Sequence, residues 1–147
     1  GRLVWGLAAR STRMTGMLLQ LTKPDVQADP AKVRQRVLQS MSPVEAAVFD
    51  QPGRLQAFIA SGTESMRQGV KGIAWDTHVI ARPWDFRLEE IRFPVRLFHG
   101  EDDRSVPVAV ARQVAAAIPG CRATFYPGEG HFSTVVNHLD EIIAALN

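Results

Sequence analysis

Two short loops of this sequence concentrate groups that can move protons. The first reads His99-Gly100-Glu101-Asp102-Asp103-Arg104-Ser105-Val106-Pro107, and the second Gly128-Glu129-Gly130-His131-Phe132. A carboxylate beside a histidine fixes the ring tautomer and stabilises the imidazolium. The other ring nitrogen can then take a proton from a nucleophile and later return it. Asp103 and His131 are the candidate pair, with Asp102 the second choice of acid. Each residue also has a plainer reading. Asp103 could cap the helix near Pro107 or pair with Arg104, and His131 could be an exposed loop histidine. His99 reads as structural at a strand end, Glu129 as solvent-exposed, and His78 and His138 as surface or interface residues. No H-x-x-x-H or Cys-x-x-Cys pattern occurs, so no metal site is expected.

Such a pair works only if the elements beneath it bring both loops to one edge. Pro94 to Phe98 and Arg122 to Tyr126 read as short strands, and Pro107 to Ile118 as the helix between them, stopped by Pro119-Gly120. A last helix is predicted from about Asn137 to Leu146. This strand, helix, strand, helix order is that of a parallel sheet, whose ligands bind beyond the carboxyl ends of the strands. A right-handed crossover would place both loops there. The first ninety or so residues read as helical. Apolar spacing from Arg2 to Leu21 fits a helix with a break near Ser11 or Gly16. Thr22 to Asp29 reads as a loop, and Asp29-Pro30 as the start of a helix to about Met41. Ser42 and Glu45 form a capping box for a short helix to Phe49. Arg54 to Gln68 and Val70 to Ile80 are two further helices joined near Gly69 or Gly72, and Arg82 to Asp85 is a loop.

Gly100-x-x-Asp103-x-x-Val106-Pro107 resembles the acid loop of the α/β-hydrolases, and Gly130-His131-Phe132 their histidine loop. Pro94-Val95 ahead of the strand is similarly family-like. That family orders its triad nucleophile, acid, histidine along the chain. The resemblance implies an α/β fold: a helical cap segment followed by the last two parallel strands and helices of an α/β-hydrolase sheet. Residues 1–90 would be the cap-like region and residues 91–147 the carboxyl-terminal part of the core. It also implies a serine hydrolase acting on a small acyl substrate, Asp103 as acid, His131 as base, and no cofactor. Arg67-Gln68-Gly69 and Arg82-Pro83-Trp84-Asp85-Phe86 are similar to the ends of such caps. The family's Gly-x-Ser-x-Gly elbow is absent from these residues. Its nucleophile is expected upstream of Gly1. Ser61, at Ala60-Ser61-Gly62, reads as part of a helix-helix joint, Ser105 as a cap for the next helix, and Ser133 as local. Dehalogenation or perhydrolysis on the same scaffold is a weaker option, decided by whether the nucleophile is Asp or Ser.

Composition narrows the partners. Of 147 residues 46% are hydrophobic and 22% charged, with a formal charge of +2. This is ordinary for a globular chain. Basic residues are scattered without aromatic interleaving, so no nucleic-acid partner is expected. No apolar run approaches the ~20 residues of a membrane span, and no signal peptide is visible. The single Cys121 excludes an internal disulfide and points to a cytoplasmic setting. Gly1 in place of Met is expected for a fragment or a processed product. Trp5, Trp75, Trp84, Phe49, Phe58 and Phe86 lie in the cap-like region, and most are expected to pack. The lack of a tyrosine there counts against an epoxide hydrolase. Two strands cannot complete a covered parallel sheet. The exposed strand edge should pair with an amino-terminal half or with a second copy. The alternative function is a truncated, non-catalytic binding or dimerisation module built on the same remnant.

Overall fold

A computed structural model describes residues 2–22 and 30–145. The expected Asp29 cap, and residues 23–29 of the expected loop, lie outside the described residues. The chain is a mixed α/β protein, mostly helical, with a two-stranded parallel sheet. Contacts divide it into two compact units. One holds residues 1–30 and 56–85, and the other residues 31–55 and 86–147. This division differs from a single boundary near residue 90, because residues 31–55 pack with the sheet-bearing segment.

In the first unit, α1 (Arg2–Arg10) and α2 (Thr12–Thr22) pack on α6 (Lys71–Ala81). The break falls at Ser11, whose hydroxyl accepts from the Met14 amide at 3.3 Å and so caps α2. The seam is made of small residues, with Ala8, Thr15 and Ala74 buried. His78 Nδ1 donates to the Ala8 carbonyl at 2.7 Å. Small residues let helices approach while large rings point outward. Trp5 and Trp75 on these helices, Trp84 after them and Phe86 of the second unit all stay more than half exposed, against the expectation that most aromatics pack. The helix α5 (Arg54–Ser65) runs straight through Ser61 and Gly62, which therefore form no helix-helix joint. Gly69, at φ +93°, makes the turn into α6.

The second unit begins with α3 (Pro30–Ser40) and α4 (Pro43–Phe49). Arg34 on α3 pairs with Asp50 just after α4. A short 3₁₀ turn, Leu88–Glu90, then leads to β1 (Arg96–Gly100). The helix α7 (Val108–Ala117) crosses to β2 (Arg122–Tyr126). The strands pair in parallel, with Arg96 opposite Arg122 and Gly100 opposite Tyr126. β1 runs two residues beyond the expected stop at Phe98, because His99 and Gly100 still have partners on β2. Pro107, not Ser105, is the cap of α7, and no side chain caps it. A short helix that was not expected, α8 (Ser133–Asn137), precedes the expected last helix, which is α9 (Leu139–Ala144), with His138 between the two.

Among the described residues no helix is long and apolar enough to cross a membrane.

Pairing continues past the ends of the strands. The Glu101 amide donates to the Tyr126 carbonyl at 3.0 Å, and the Asp102 amide to the Glu129 carbonyl at 2.9 Å. Gly100 sits where a Cβ would fall on the Glu129 carbonyl and the Thr134 hydroxyl. Gly100→Ala should therefore destabilise the chain by about 3 kcal/mol, since backbone cannot retreat as a side chain can. Gly62→Ala, on a helix with open space around it, should stabilise by about 0.5–1 kcal/mol. Urea unfolding followed by circular dichroism measures both.

Candidate active site

Asp103 is buried at the turn after β1, and its carboxylate is fully engaged. Oδ1 accepts from the Ser105 amide at 2.7 Å and the Val106 amide at 2.8 Å. Oδ2 lies 2.9 Å from His131 Nδ1. His99 braces the same loop, donating from Nε2 to the Val106 carbonyl at 3.0 Å, with Asp103 Oδ2 3.7 Å away. Asp102 stays exposed, and it is Asp103 that meets His131. Burial pushes the Asp103 carboxyl up. The Val106 amide, the His131 ring and the Ser105 amide, with the charge on His131, outweigh it and hold the group below its usual value. An ionised Asp103 can only accept, so Nδ1 of His131 carries a proton, and in the neutral ring the lone pair then lies on Nε2. That is the tautomer a general base requires.

The histidine loop is held from two further sides. Glu129 is half-buried, in contrast to the exposed position expected for it. Asn137 Nδ2 donates to both its carboxylate oxygens at 3.2 Å, and His138 Nε2 lies 3.3 Å from one of them. Burial raises the Glu129 carboxyl, but Ser133, Asn137 and His138 together lower it below the ordinary value. His138 is likewise no simple surface residue. Its ring stacks on Tyr126 at 3.8 Å, and its backbone lies between α8 and α9. The Tyr126 hydroxyl is buried with no well-placed partner among the described residues. Burial and the nearby Glu141 carboxylate push the phenol up to about 12. Ser133 is fully buried, and its hydroxyl accepts from the Gly130 amide at 2.7 Å, which leaves it unavailable to a substrate.

The second anchor is Glu45, which the sequence suggested only as half of a capping box. One half of that box is present: the Glu45 amide donates to Ser42 Oγ at 3.4 Å. The Glu45 carboxylate turns away. It accepts from the Phe132 amide at 3.0 and 3.2 Å and from the Ser133 amide at 3.4 Å. Those amides open α8 and lack partners within their helix, so a buried carboxylate satisfies them. Phe49, one turn further along α4, meets the Phe132 ring edge-on at 5.2 Å. The buried residues around Glu45 are a signal that only the fold supplies.

A cleft of about 100 Å³ opens beside this cluster, lined in part by Ser42, Glu45, Asp102, Arg104, His131 and Phe132. It is large enough for a few waters or a small substrate fragment. Among the described residues no group of three or more His, Cys, Asp or Glu is arranged to hold a metal ion. No family model and no curated protein matches the chain.

Asp103 also links the site to acid stability. Its value is lower in the folded chain than in the unfolded one. Its contribution is therefore complete above the ordinary carboxylate value of ~3.9, and is lost as pH falls below that through the folded value. Asp103→Asn should cost about 1.5–3 kcal/mol near neutral pH. It should also flatten the fall in stability between about pH 5 and about pH 2. Denaturant unfolding at a series of pH values measures both effects.

Proposed function

We propose that this chain is the carboxyl-terminal catalytic part of an α/β-hydrolase, preceded by cap-like helices. Asp103 is the triad acid and His131 the base. The observation that carries the reading is the 2.9 Å contact between His131 Nδ1 and Asp103 Oδ2, made by loops that leave the same ends of two parallel strands. In the proposed reaction Nε2 of His131 takes the proton of a serine hydroxyl as its oxygen attacks a small-molecule acyl ester. Asp103 stabilises the imidazolium, which then protonates the leaving alcohol. Water, activated by the same nitrogen, releases the acid and restores the serine. The serine and the oxyanion donors belong to a segment carrying Gly-x-Ser-x-Gly, a motif absent from these residues.

The 147 residues alone should hydrolyse an activated ester such as p-nitrophenyl acetate at the background rate. Turnover that disappears in His131→Ala would mean that a nucleophile lies within this chain. Joined to a segment that supplies the elbow, His131→Ala should lower kcat by roughly 10⁶ and Asp103→Asn by roughly 10⁴. Comparable activity in all three proteins would sink the assignment.

Two described strands leave ladder groups open at the sheet edges, and we propose that an amino-terminal half or a second copy pairs there. Light scattering of the isolated chain should therefore report self-association that rises with concentration. A monomer at every concentration, with one cooperative melt, would contradict this.

A further inference from the structure

We propose that Glu45 is a positioning residue for His131, acting through the backbone of the histidine loop. The inference rests on the reading of His131 as a base oriented by Asp103. His131 stands between two fixed points. Before it, the Glu129 carbonyl is held by the Asp102 amide at 2.9 Å. After it, the Phe132 and Ser133 amides converge on the Glu45 carboxylate. Gly130 leaves this approach open, since a Cβ there would fall on Glu45 Oε1. The Phe49–Phe132 contact sets the angle at which the loop meets α4.

A single backbone acceptor could satisfy one amide. Two carboxylate oxygens facing two successive amides fix the peptide planes on the carboxyl side of His131, and with them the direction of its Cα–Cβ bond. His131 is itself substantially exposed, with a side chain 42% accessible. The ring itself is held by Asp103 at 2.9 Å and meets Phe132 edge-on at 5.0 Å, and the backbone that carries it is set from the Glu45 side. The charged groups lining the same cleft are Asp102, Arg104 and His131.

The test is proton NMR of the ¹⁵N-histidine-labelled 147-residue chain, following the low-field Nδ1 proton that His131 shares with Asp103. Asp103→Asn assigns that resonance by removing it. Glu45→Gln keeps the size and removes the charge. It should abolish or strongly shift the resonance, and should speed exchange of the Phe132 and Ser133 amides by roughly tenfold to a hundredfold. The Asp103 turn should remain intact, with the Ser105 and Val106 amides still protected. Glu45→Asp, one methylene short, should give an intermediate shift, and it serves as the probe if Glu45→Gln fails to fold. An Nδ1 proton unmoved in the folded Glu45 variant overturns the inference while leaving the acid–histidine pair standing. A wild-type chain with no such proton, or one indifferent to Asp103→Asn, overturns the pair and this inference with it.

Discussion

The candidate site depends on how closely two strand-end loops approach one another. A parallel ladder ordinarily ends where its strands diverge into connections. Here it continues for two more hydrogen bonds, from Glu101 to Tyr126 and from Asp102 to Glu129. That continuation is open only to a residue without a side chain at Gly100. Once the loops are joined, the next residue of the first, Asp103, lies opposite His131. The acid–imidazole contact is thus a consequence of backbone pairing and does not have to hold the loops together by itself. This matters because a single polar contact to a half-exposed histidine contributes little stability.

The sequence made the central pair legible because its signals were local. Gly100 and Val106-Pro107 bracket the acid, and Gly130 precedes the histidine. The run Arg122 to Tyr126 matches β2 residue for residue. The boundaries that moved did so for tertiary reasons. β1 gained His99 and Gly100 because β2 offers them partners. A further helix, α8, precedes the expected last one, and Glu45 accepts from the amides at its start. Neither cause has a signature within a short window of sequence.

Glu45 and Glu129 have surroundings that differ from the sequence expectation for the same reason. Near a helix start, a glutamate three residues after a serine fits a capping box. A glutamate in a glycine-rich loop fits an exposed position. Both expectations treat the side chain as having only neighbours in sequence. In the folded chain Glu45 meets amides 87 and 88 residues away, while Glu129 meets side chains from the helix that follows it. Buried carboxylates need such partners, because removing a charge from water is costly unless hydrogen bonds replace the hydration. Two backbone amides meet that need for Glu45, and the Asn137 side chain with His138 for Glu129.

The span between Glu45 and Phe132 also has a temporal meaning. A ribosome finishes α4 long before it reaches the histidine loop, and the carboxylate must remain hydrated through that interval. The contact between Asp103 and His131 closes a span of 28 residues. The Glu45 contact closes one of 87, at an entropic cost about 1 kcal/mol greater. Loop-closure entropy alone therefore favours the acid–imidazole contact ahead of the helical anchor. On that order His131 would acquire its orientation after the contact, so a newly made chain would hold its imidazole and its acid together before it could aim them.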